Sequence, residues 1–372
     1  MSLKSKIARK IAANVLENSS EFPAKVAPEQ NAGDSTLPGR IMESPLGPFR
    51  VIADRPTGEH AIWLRGGYLG KPVTELANML TQETAHGLTK DKALFFDIEA
   101  TGLSHGAGTI AFLIGLAWFE GEELVVEQLL SESPEMEKAC LGRFLERLKM
   151  RSHFVSFNGK SYDLSVLQNR LVMHDFVSRE ESLKIKPHLD LLHLCRQLWK
   201  GVFPDHRLKT IEQEVLGVER LDDIAGALVP QYYFSFLNTG KGSYLHGIIE
   251  HNRQDLLSLV LLTEKTLLRL APDRTPTTER ETANIARIKL RAGFPAEAQR
   301  DLDRVFFSFS DPESILLAAH CLDMAYFRQG MNSKRIAVWD YAVEKTEDEE
   351  AVERLAMVTR RFGKTAGAGS SG

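Results

Sequence analysis

Three apolar segments stand almost end to end between Lys92 and Ser131: KALFFDIE, TIAFLIGLAWF and ELVVEQLLS, the last two joined by the turn EGEE. Each reads as a strand. Three adjacent strands do not begin a pure doubly wound fold, in which helices alternate with strands from the outset. The alternation comes afterwards. EMEKACLGRFLERLKM has helical spacing, HFVSFN is a fourth strand, and SYDLSVLQNRLVM is a helix. PHLDLLHLCRQLW is a short strand running into a helix, LKTIEQEVLG a helix closed by Gly217, and SYLHGIIEHNRQDLLSLVLLTEKTLLRL one long helix. The order predicts an α/β fold, a mixed sheet covered by helices.

Other segments flank this core. Residues 1–39 read as a short amphipathic helix, with Ile7, Ile11 and Val15 at four-residue spacing, and a Pro/Ser/Gly-rich linker. Residues 40–91 are a short mixed extension with a strand FRVIAD and a helix PVTELANMLTQE opening on Pro72. The core domain takes residues 92–271. Residues 272–363 give only helical signals, and Gly293 and Gly330 mark two helix junctions 37 residues apart. Ala298 sits where close packing needs a small residue, so the region resembles two degenerate tetratricopeptide repeats, a small all-α unit suited to a protein partner. The tail 364–372 reads as disordered.

Composition narrows the class. Hydrophobic content of 43%, charge of 26% and 372 residues describe an ordinary globular protein with length for a real core. The net charge of −4 advertises no nucleic-acid binding, yet a carboxylate-rich metal site lowers net charge while its cations restore local attraction. Cys140, Cys195 and Cys321 are far apart, with no zinc spacing, and read as buried thiols in a reducing compartment. No apolar run has transmembrane length, so the expected location is cytoplasmic, without membrane association.

The strand ALFFDIEA ends in two carboxylates one residue apart and then in the glycine-rich TGLSHGAG. Side chains alternate on a strand, so Asp97 and Glu99 share one face and Phe96 and Ile98 the other. Like charges so close repel unless a cation lies between them. Thr101 and Gly102 begin the turn that leaves this strand end open to a ligand. A surface turn rich in acids is the competing reading, and the motif alone leaves the two level. VSFNGKSYD adds Asn158, Lys160, Tyr162 and Asp163, the last at a helix start, where an acid is favoured in any case. In IIEHNRQDLLSLV, His251 and Asp255 are four apart and so share a helical face. An aspartate directed at a packed sheet is costly unless neutralised or metal-bound.

Together FFDIEATGLSHGAGTIAFLIG, SFNGKSYDL, HLDLLHLCRQLWK, LGVERLDDIAGALVPQYYF and HNRQDLLSL resemble the DEDD exonuclease superfamily of the ribonuclease H-like fold, and within it the YprB-type ribonuclease H-like family. The resemblance covers about Lys92 to Leu270. It implies a mixed five-stranded sheet with the first strand central and metal ligands converging at its end. Asp97 would be shared between two Mg2+ or Mn2+ ions, with Glu99 and Asp255 completing one site and Asp163 serving the other. Asn158 and Lys160 would face the nucleic-acid backbone, with Tyr162, Thr101 and Gly102 beside them. Histidine-type members place a general base five residues before the last aspartate and tyrosine-type members four before. Here His251 holds the tyrosine spacing and Glu250 the histidine position.

The implied activity is two-metal hydrolysis of phosphodiester bonds in single-stranded DNA or RNA from the 3′ end, with His251 as base. Tyr232, Tyr233, Phe234 and Phe236 could stack on bases or fill the core. Basic residues between Lys184 and Lys209 could track phosphates or form a solvated face. Asp190 reads as structural rather than as a fifth ligand. Two alternatives remain: a non-catalytic nucleic-acid-binding module whose helical repeats dock a protein, and an endonuclease using the same carboxylates.

Overall fold

A computed structural model describes residues 36–56, 88–102, 108–178, 183, 187–220, 224–270 and 278–367, with side chains as far as 360. The N-terminal helix, most of the linker, the helix from Pro72, residues 103–107 of the glycine-rich turn, Lys184, Lys186 and the tail from 368 lie outside the described residues. The chain divides into two compact units.

The first unit is built on one sheet. Its strands are β1 (Arg40–Met42), β2 (Phe49–Asp54), β3 (Ala93–Ala100), β4 (Ala111–Glu120), β5 (Glu123–Leu130), β6 (His153–Ser156) and β7 (His188–Asp190), in the spatial order β1-β2-β5-β4-β3-β6-β7. β3 pairs antiparallel with β4 and parallel with β6, and β6 parallel with β7, so the sheet is mixed. The expected number of five strands is corrected to seven. The five are contiguous, β5-β4-β3-β6-β7, with β3 in the middle. FRVIAD then adds as β2 to the outer side of β5, in register from Arg50↔Leu130 to Asp54↔Val126, and β1 adds to β2. An open edge on β5 would expose a row of unpaired backbone groups, and the added pair moves the edge to a three-residue strand.

Both sheet faces are covered. Leu94, Phe96 and Ile98 of β3 pack with Cys140, Leu141 and Phe144 of α1 (Glu137–Met150) and Leu164 and Leu167 of α2 (Asp163–Met173). On the other face Phe112, Leu113 and Leu130 pack with Val229, Tyr233 and Phe236 of α5 (Val229–Thr239) and Leu245, Ile248 and Ile249 of α6 (Ser243–Leu270). In chain order α2 is followed by α3 (Leu191–Leu198) and α4 (Leu208–Ile211). α4 widens into a π-turn over Glu212–Leu216 and ends at Gly217, whose φ of +68° suits glycine. Tyr233 stacks on Phe112 with ring centres 4.1 Å apart and donates its hydroxyl to the Ser131 carbonyl, so Tyr233 and Phe236 are core residues, while Tyr232 and Phe234 are half-buried.

The second unit holds Leu192–Val215 and the chain from Glu264. Its helices beyond α6 are α7 (Glu279–Arg291), α8 (Pro295–Asp303), α9 (Pro312–Arg328), α10 (Asn332–Thr346) and α11 (Glu349–Gly367). Gly293 and Gly330, with φ of +92° and +69°, turn α7 into α8 and α9 into α10. Ala298 is buried at the first junction. At the matching place in the second pair stands Arg335, buried and ion-paired with Asp323, so the small residue is not repeated. The three cysteines are buried and free. No helix among the described residues is long and apolar enough to cross a membrane.

Candidate active site

The end of β3 gathers acids from three distant parts of the chain. Asp97 and Glu99 leave the strand on the side of α6, opposite the core face of Phe96 and Ile98. The strand register shifts between Glu99 and Ala100, a bulge that bends the strand end. Asp163 is the first residue of α2, and Asp255 lies in the middle of α6. Asp97 feels the charges of Asp255, Asp163 and Glu99 together, and burial first and these neighbours second push its carboxyl well above the ordinary range. Asp163 is pushed up to about 8, by burial and then by Asp190 and Asp255.

A glycine makes room for the residue that opposes this shift. Asp97, Gly115 and Gln128 lie side by side across β3, β4 and β5. A Cβ on Gly115 would stand 2.2 Å from Oδ1 of Asn252, so only glycine lets α6 bring Asn252 down to the sheet. Asn252 Nδ2 donates to Asp97 Oδ2 at 2.8 Å, and Gln128 Nε2 donates to Asn252 Oδ1 at 2.8 Å. Donation to the carboxylate favours its charged form. The fully buried Asn252 therefore orients Asp97 and is itself oriented.

The turn before α2 is fixed by Asp190 at the end of β7. Its oxygens accept the backbone N–H groups of Asn158 at 2.8 Å and Lys160 at 3.1 Å. Asn158 has a φ of +66°, and a Cβ on Gly159 would meet Ser156 Oγ at 2.3 Å and Asp163 Oδ2 at 3.1 Å. Asp190 thus holds a tight turn against Asp163. Burial lowers the Lys160 ammonium, opposed by Asp190. Tyr162 donates its hydroxyl to the Gly102 carbonyl, and burial with Asp163 and Glu99 nearby raises it to about 12. Thr101 is buried, its Oγ1 accepting the Ile110 N–H at 2.9 Å. Thr101 and Gly102 therefore shape the strand end through its backbone.

His251 stands over the acids, with Nε2 3.6 Å from Asp255 Oδ2 and 4.0 Å from Glu99 Oε1. A residue absent from the sequence expectations joins it. Arg220 places Nη2 on Asp255 Oδ1 and Nη1 3.2 Å from His251 Nδ1. Only the lone glycine within the apolar strand β4 could have signalled the Asn252 contact in advance. Nothing local to Arg220 marks it.

An all-oxygen donor set suits a hard divalent cation such as Mg2+ or Mn2+. The mutual repulsion and burial of Asp97 and Asp163 are the condition that such a cation relieves, and in this sense the residues fit one. Their side chains are not arranged as a ready cage: among the described residues no three His, Cys, Asp or Glu side chains are grouped to hold an ion. Asp255 is turned onto Arg220 instead.

Part of this sequence is shared with known proteins. Residues 94–267 match the RNase_H superfamily, and the first unit has a ribonuclease H-like fold. Over 260 residues the chain is 32% identical to the uncharacterized protein YprB of Bacillus subtilis (strain 168), a match covering 69% of this chain and 61% of that protein. The chain thus spans less than two thirds of the length of this curated relative. Among solved structures, the family B DNA polymerase of the hyperthermophilic archaeon Pyrobaculum calidifontis is similar at 14% identity and a TM-score of 0.38, covering 64% of this chain and 29% of that one.

Proposed function

We propose that the chain is a metal-dependent nuclease that hydrolyses phosphodiester bonds in single-stranded nucleic acid from the 3′ end. The observation that carries this reading is the convergence of Asp97, Glu99, Asp163 and Asp255 on one strand end, where Asp97 meets the charges of the other three. These four would hold two Mg2+ or Mn2+ ions, with Asp97 shared. Bound there, the ions would supply an activated water and charge stabilisation for the attacking and leaving oxygens.

The remaining chemistry belongs to the chain. Asn252 keeps Asp97 aimed into the site. Asp190 uses the Asn158 and Lys160 amides to hold the turn, so these residues offer a strand their side chains. His251 would take a proton at Nε2, the nitrogen facing Asp255 and Glu99. A single strand fits because its phosphate can reach the strand end without a second strand in the way.

End-labelled DNA and RNA strands incubated with Mg2+ or Mn2+ test the reading. A ladder from the 3′ end supports it, internal cuts give the endonuclease, and binding without cleavage gives the module. Asp97→Ala and Asp255→Ala lose at least about a hundredfold in rate, more than the usual loss of an outer-shell partner, with an unchanged circular dichroism spectrum. Full activity in either variant contradicts the assignment.

A further inference from the structure

Arg220 is ion-paired with Asp255, and it is well buried, with 7% of its side chain exposed. A guanidinium stays protonated and has no acceptor, so at the 3.2 Å contact it donates and His251 Nδ1 accepts. A neutral imidazole whose Nδ1 accepts carries its hydrogen on Nε2. That Nε2–H faces Asp255 and Glu99 and has no lone pair for a proton from water. With Arg220 in place, His251 is a donor rather than a base.

We propose that Arg220 is a positioning residue, an internal cation that holds Asp255 and fixes the His251 tautomer until a divalent cation displaces it. The inference rests on the metal-dependent reading above and adds its control. A cation bound by Asp255 and the guanidinium bonded to Asp255 Oδ1 compete for the same carboxylate. Loss of Arg220 from Asp255 also frees Nδ1, which can then carry the hydrogen and leave the Nε2 lone pair open. Loading of the site and readiness of the base become one event.

The test needs no nucleic acid. In the full metal-free chain, 15N-labelled histidine reports the tautomer, with the His251 signal identified by its loss in His251→Asn. Wild type shows Nε2–H, and saturating Mg2+ moves it towards Nδ1–H. Arg220→Gln loses the bias without metal and binds Mn2+, followed by electron paramagnetic resonance, on the order of tenfold tighter, the worth of one charge-assisted hydrogen bond. Arg220→Lys keeps the charge, and its Mn2+ affinity stays near wild type. An Nδ1–H tautomer in metal-free wild type, an Nε2–H tautomer that survives Mg2+ saturation, or unaltered Mn2+ affinity in a folded Arg220→Gln overturns the proposal. The wild-type titration decides it even where the Gln variant does not fold. A chain that passes these tests yet cuts no nucleic acid removes the nuclease reading and leaves the role of Arg220 standing.

Discussion

Asp163 bears an electrostatic cost that can be read as stability. Its folded carboxyl sits at about 8, far above the ~3.9 of an unfolded aspartate. Between these values the folded state holds a proton that the unfolded state has lost, so stability falls as pH rises, and the penalty is complete above pH ~8 and absent below ~4. In EDTA, wild type melts at a lower temperature at pH 8 than at pH 6. The same comparison in Asp163→Asn shows a smaller difference, and Mg2+ stabilises wild type more at pH 8 than at pH 6. Equal pH slopes for the two proteins in EDTA contradict the burial of a repelled carboxylate. The helix N-terminus that made Asp163 unremarkable in the sequence does stabilise its charge, but burial and two neighbouring acids outweigh it.

At the scale of elements, the seam between β4 and α6 matters most. Gly115 is the notch and Asn252 the side chain that fills it. Gly115→Ala forces Asn252 back and breaks its bonds to Asp97 and Gln128, costing about 1–3 kcal/mol. In an Asn252→Ala background the same substitution costs less, because the clashing atom is gone. Chemical denaturation of the four proteins measures the coupling, and additive costs contradict the notch. The central strands and the full span of α6 were legible because their periodicity is local. The pairing of FRVIAD with β5 was not, since a strand pattern names no partner. The aromatics of VPQYYFSF do not by themselves name an element, and the segment folds as α5 because Tyr233 and Phe236 share a face that the sheet buries.

For the whole molecule, the net charge of −4 gives nucleic acid no general attraction, so the attraction has to come from the site. The acids were legible as three motifs whose meeting depends on the sheet: Asp97 and Glu99 by strand alternation, His251 and Asp255 by helical spacing. The groups that tune them were not, because Asp190 acts across 32 residues on Asn158 and Arg220 across 35 on Asp255. Distances of that kind arise only from the completed fold. The most direct test is anomalous diffraction from crystals of the chain grown with Mn2+. Two peaks are expected roughly 3.5–4 Å apart, both liganded by Asp97, with Arg220 drawn off Asp255. Ordered Mn2+ elsewhere on the chain, with none at Asp97, would contradict it.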